Sequence, residues 1–197
     1  MIYKKRLQGI LIAGSVAIAT PVFADTPSAA MLSNTCAGCH GTNGNSHGPA
    51  TPTIAGISSE YFIEAMQQYK SGERPATIMG RIAKGYSEEE IKLMAGYFAT
   101  QKMVRAAQEI DSSMAKKGMK MHEKYCEKCH EDGGRSSEDD AGILAGQWMP
   151  YLHYTMSDFL DGKREMPKKM KKKVEELQAK GGGDAVDALI QFYGSQK

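Results

Sequence analysis

Cys36-Ala37-Gly38-Cys39-His40 returns 90 positions later as Cys126-Glu127-Lys128-Cys129-His130, and these two stretches use every cysteine of the 197-residue chain. Two thiols with two residues between them, followed at once by an imidazole, form the arrangement that attaches a c-type haem. The thiols of one turn reach the two vinyl groups while the adjacent ring is delivered to the iron. Disulfides are the ordinary expectation for four cysteines in an exported protein, and zinc is the other. Neither reading accounts for a histidine after each pair. Cys36, Cys39, Cys126 and Cys129 are therefore read as anchors of two covalently bound haem c groups, with His40 and His130 as one axial ligand each.

The register of 90 persists where no cysteine is present. Ile54-Ala55-Gly56 matches Leu144-Ala145-Gly146, Tyr61 matches Tyr151, Met66 matches Met156, and Gly72-Glu73-Arg74 matches Gly162-Lys163-Arg164. Leu93 and Tyr97 match Leu189 and Tyr193 after a short insertion in the second copy. Self-similarity of this kind predicts two homologous domains, residues 25–105 and 106–197. Each is small enough that a haem, a large apolar object, helps to complete its core.

Both copies read as helices. An opening helix leads into each motif, around Ala29 to Asn34 and around Ser113 to Tyr125. A middle helix spans Ser59 to Ser71 with Gly72 as its stop, and its counterpart starts at Pro150 and runs up to Gly162. The closing helices begin at a capping box, Ser87 with Glu90, and at Asp184 as a plausible cap. No stretch alternates as a strand does, so the predicted fold class is all-α.

Residues 1–24 read as an export signal. Lys4, Lys5 and Arg6 precede a mostly apolar stretch from Ile10 to Val22, and Val22-Phe23-Ala24 offers small residues for cleavage. That stretch falls short of the roughly 20 apolar residues a membrane span needs, so no span is expected once the signal is removed. Cleavage takes away three basic residues and no acidic one, moving the formal charge from +2 to −1. A near-neutral chain is a poor candidate for nucleic-acid binding.

Thioether sulfur opposite imidazole closes a haem iron and raises its potential. Among 13 methionines, Met66, Met94, Met114 and Met156 keep helical spacing and read as core. Met79, in the irregular stretch Thr77-Ile78-Met79-Gly80, is the expected ligand in the first copy. In the second, the repeat offset favours Met170, whereas Pro167 makes the preceding Met166 look like the end of a loop. The choice stays open. His47, His122 and His153 read as surface or haem-edge residues. Lys163, Arg164, Lys168, Lys169, Lys171, Lys172 and Lys173 form a basic run, and Glu131, Asp132, Glu138, Asp139 and Asp140 an acidic one. Such runs either steer a redox partner or simply face water.

The motifs and the repeated Ala-Gly segment resemble the tandem dihaem (class I) cytochromes of bacterial periplasms. Cys36 to Thr42, Ser71-Gly72-Glu73, Thr77 to Ser87, Tyr125 to His130 and Ile143 to Trp148 look more closely like the cytochrome subunit of flavocytochrome c sulfide dehydrogenase. That resemblance implies a periplasmic heterodimer with a sulfide-oxidising flavoprotein. The partner would hold covalent FAD, and this chain would relay electrons one at a time to a soluble c-type cytochrome. The haem cysteines, His40, His130 and Met79 carry over with their motifs. Closed coordination at both irons argues for electron transfer and against an enzyme such as a dihaem peroxidase, so any catalytic label belongs to the complex. The competing reading is a free dihaem shuttle serving a terminal oxidase.

Overall fold

Ser58, Ser87 and Asp111 each start a helix by accepting a backbone N–H that no intrahelical carbonyl can take. A computed structural model describes residues 27–138 and 141–197, and every regular element among the described residues is helical. The expected export segment lies outside them. In the first copy, α1 (Ala29–Asn34) leads to the short α2 (Ala37–His40), which carries the first motif. Ser58 caps α3 (Ser59–Ser71) through Tyr61 N–H, and Gly72 ends it in the left-handed region at φ 89°, where glycine alone pays no Cβ penalty. α4 (Met79–Ile82) follows, then α5 (Glu88–Ala99), whose capping box is complete: Glu90 N–H donates to Ser87 Oγ at 3.2 Å and Ser87 N–H to Glu90 Oε2 at 2.8 Å.

The second copy has α6 (Ser112–Tyr125), the single turn α7 (Glu131–Gly134), α8 (Met149–Leu160) with Pro150 in its first turn, α9 (Lys168–Gly181) and α10 (Ala185–Ser195). Asp184 occupies the position before α10 but makes no capping hydrogen bond, contrary to the expectation. Its carboxylate is taken by Lys117 of α6, an ion pair that outcompetes the cap. The short insertion goes with a 14-residue helix, α9, in place of the single turn α4 of the first copy, and the lysine run obscured it. Val174 and Leu177 bury one edge of it while the lysines face water.

Each copy has its own core. Phe62, Met66, Ile91, Met94 and Phe98 join α3 to α5 in the first, with Leu32 arriving from α1. Met121, Leu152, Leu177, Leu189, Phe192 and Tyr193 build the second. Met66 and Met94 are core as expected, Met114 packs against the second core, and Met156 stays half-buried outside both. α6 and α10 approach so closely that a Cβ on Gly118 would stand 1.9 Å from the Ala188 carbonyl oxygen. Gly118→Ala is therefore expected to push the two backbones apart and cost about 1–3 kcal/mol, read as a lower Tm of the haem-loaded protein.

The copies meet through buried polar contacts. Thr53 N–H donates to Gln147 Oε1 and Gln147 Nε2 returns a bond to Thr53 O, both at 2.9 Å, with Gln147 only 3% exposed. Trp148 Nε1 donates to Ser46 O at 3.2 Å, and Ile143 inserts into the first core. The repeat mates Tyr61 and Tyr151 share one guanidinium: buried Arg74 donates to their hydroxyls at 3.3 and 2.9 Å. Equivalent surfaces thus face one another, as in an isologous dimer. Gln147→Ala strips both bonds from the buried Thr53 backbone, at about 1–3 kcal/mol per orphaned group. A calorimetric scan is expected to show a lower Tm and poorer coupling between the copies; an unchanged scan would mean the pair contributes nothing.

Candidate functional site

Thr35 ends α1 and its hydroxyl donates to Leu32 O at 2.6 Å, so the Tyr86 hydroxyl, also 2.6 Å away, must donate to Thr35. This clamp fixes the turn that follows. Cys39 N–H and His40 N–H both donate to Cys36 O, at 3.2 and 2.9 Å, which brings two thiols and one imidazole onto one turn. Cys129 N–H and His130 N–H do the same to Cys126 O, at 3.1 and 2.9 Å. All four thiols are free, so none is spent on a disulfide. Burial pushes the Cys36 thiol up and that of Cys126 up to about 11, leaving both as neutral SH groups in the unligated chain.

His40 is 8% exposed, and its Nδ1 lies 2.8 Å from Pro52 O. A carbonyl cannot donate, so Nδ1 carries the proton and Nε2 presents its lone pair. Burial also moves the ring below the usual imidazole pKa, favouring the neutral form a metal needs. An Nδ1–H bonded to a backbone carbonyl is the standard support for a metal-binding histidine. The residues present therefore fit haem attachment. His130 is half-buried at the equivalent place in the second turn.

Met79 is the first residue of α4, half-buried against the first core. Met170 sits in the first turn of α9 and Met166 in the loop ahead of Pro167; both are half-buried. His47 and His153 are exposed as expected, the latter 3.7 Å from the Asp187 carboxylate. His122 overturns its expectation: it is 1% exposed, packed against Phe192 with ring centroids 5.1 Å apart. The repeat offset carried a signal for this, because His122 corresponds to Leu32, a core position. Glu131, Asp132 and Glu138 of the acidic run line an open cavity of about 590 Å³ beside the second motif, together with Glu127, Lys128 and Arg135.

The family model described as Cytochrome c matches residues 27–102. The cytochrome subunit of sulfide dehydrogenase from Chlorobaculum tepidum is 54% identical over 68 residues, which is 34% of this chain and 61% of that subunit. The match thus falls short of two thirds of that relative's length. Cytochrome c4 of Pseudomonas aeruginosa is 30% identical over 139 residues, covering 66% of this chain and 68% of the relative. The crystal structure of reduced recombinant cytochrome c4 from Pseudomonas stutzeri shares the fold, with a TM-score of 0.72 at 24% identity over 87% of this chain and all of that one. With an attachment turn in each of two tandem helical units, the chain belongs to the cytochrome c family and carries two covalently bound haem c groups.

Proposed function

We propose that this chain is the dihaem electron-transfer subunit of a periplasmic complex. It takes electrons from the FAD of a sulfide-oxidising flavoprotein and hands them to a soluble c-type cytochrome. The observation that carries this is the 54% identity to a sulfide dehydrogenase cytochrome subunit. Bound haem supplies reversible one-electron chemistry, and the chain's own residues decide how it is held. Cys36, Cys39, Cys126 and Cys129 tether the two groups, while Pro52 aims His40. Met79 and Met170 complete the ligand sets with His40 and His130. Met170 is favoured over Met166 because it shares with Met79 the first turn of the helix that follows each middle helix. The division between domains falls at residues 105/106, inside the helix-free stretch 101–111.

No helix among the described residues is long and apolar enough to cross a membrane. The test is purification of the native protein from periplasm, with an absorption spectrum and mass spectrometry of what copurifies. A flavin-bearing chain with sulfide-dependent haem reduction supports the complex. The cytochrome c4 match, which extends over about two thirds of both chains, favours a second reading: a free dihaem shuttle to a terminal oxidase. A lone dihaem chain that sulfide does not reduce, even with fractions added back, would leave that one.

A further inference from the structure

The second attachment turn differs from the first in what stands behind it. His122, in the last turn of α6, is held at both ring nitrogens by side chains. Its Nδ1 is 2.9 Å from the Tyr193 hydroxyl and its Nε2 meets the Glu127 carboxylate. The Tyr193 hydroxyl in turn contacts the Cys126 sulfur. Glu127 is 43% exposed and lines the open cavity, so it links a buried ring to solvent. The His122 carbonyl meanwhile accepts from Cys126 N–H and Glu127 N–H at 2.8 and 2.9 Å, which locks the whole group to the attachment turn. In the first copy the corresponding positions are Leu32 and Ala37, and the hydroxyl of Tyr97, the mate of Tyr193, bonds Asn43 instead at 2.8 Å. The first copy therefore has no such relay at these positions.

We infer that His122 is a proton-exchanging residue coupled to electron transfer at the second haem, acting through Tyr193 and Cys126 with Glu127 as its path to water. Proton positions follow from the partners. In the charged ring Nε2–H donates to the Glu127 carboxylate and Nδ1–H to the Tyr193 oxygen. The exchanged proton is the one on Nε2, which leaves to Glu127 and returns from it. Nδ1–H keeps its bond to the Tyr193 oxygen in both states, so the hydroxyl hydrogen turns toward the Cys126 sulfur, a weak acceptor, and the charge of the ring is felt there. The balance is one electron from the chain's one-electron donor to the second haem and one proton from solvent to His122, with no covalent bond formed or broken apart from N–H. The added electron favours the added proton, and by linkage the proton favours the reduced state equally.

The charged neighbours do not supply an alternative partner for the proton. From α10 the ring faces Tyr193 and apolar Phe192, and from the attachment turn Glu127 and Cys126. On α6 itself Lys117 is paired with Asp184, and Lys120, Glu123 and Lys124 are exposed. α9 approaches at Met121 through Gly181, beside exposed Lys180. The inference requires haem on Cys126 and Cys129 but not the sulfide-oxidising partner, so failure of the complex leaves it intact.

The test is a spectroelectrochemical titration of both haems as a function of pH, from about pH 5 to 8, in the haem-loaded full chain, His122→Leu and Glu127→Gln. In the unsubstituted protein the second haem's potential is expected to fall with rising pH more steeply than that of the first, which serves as the internal reference for propionate titration. His122→Leu, the residue its repeat mate already tolerates, is expected to abolish the excess slope at one haem only. Glu127→Gln is expected to shift the pH at which the slope sets in, and it decides the matter if the leucine variant does not load haem. Parallel slopes in the unsubstituted protein, or an excess slope that survives His122→Leu, or an onset unmoved by Glu127→Gln where that variant must decide, would overturn the inference.

Discussion

A chain with Cys126→Ala and Cys129→Ala together is expected to hold one covalent haem instead of two and to lose the cooperative fold of its second copy. The reason lies in size. About half of the chain must be held by a core of a few side chains around α6, α8 and α10, and domains this small need a cofactor or staple to reach ordinary stability. His130 would remain, but one imidazole gives no permanent hold on a haem that is free to leave. Haem content by alkaline pyridine spectrum and far-ultraviolet circular dichroism on heating check this. Half the haem with a second, lower-temperature transition is the expected result. Two haems retained would remove Cys126 and Cys129 from the role assigned to them. The first copy, with its own core and its own Pro52-oriented His40, is expected to stay loaded.

Met79→Ala is the second large effect. Both cysteine tethers remain, so the haem is expected to stay attached, yet the sulfur–iron charge-transfer band of that site should vanish. Its potential should drop on the order of 0.1 V or more, within the roughly 0.8 V over which axial ligands set haem potentials. Only Met79's own site should change, because its side chain packs against the first core. The same experiment separates Met170 from Met166: the alanine variant that leaves the second site's band in place is not the ligand. Retention of the band in Met79→Ala would point to another sulfur among the first copy's methionines.

Met79 could be proposed from the sequence because Thr77-Ile78-Met79-Gly80 reads as an irregular stretch, and in the fold it opens only the single turn α4, with no long helical face to claim it. Its counterpart could not be, because the insertion after Gly162 shifts the register just where the ligand falls. What the tertiary structure adds there is an amphipathic α9 starting after Pro167, which rests on Val174 and Leu177 finding the second core, and a run of lysines gives little hint of that. His122 was misread for a related reason. A histidine next to a motif on an amphipathic helix reads as polar surface unless its partners are known, and those partners are Glu127, five residues on, and Tyr193, 71 residues on.

Local chemistry alone determined the haem count, the covalent anchors, the helical class and the twofold repeat. Each of these depends on residues within one turn of each other or on a fixed spacing along the chain, and such relations need no knowledge of what lies opposite. Only the tertiary structure decided that Gln147 closes on Thr53, that Ile143 completes the first core, that one arginine serves the tyrosines of both copies, and that Pro52 sets the tautomer of His40. These contacts join groups that chain folding brings together and that no local pattern pairs. Their worth comes from burial, which makes an unmatched polar group costly and so selects one arrangement from the many a helical repeat permits.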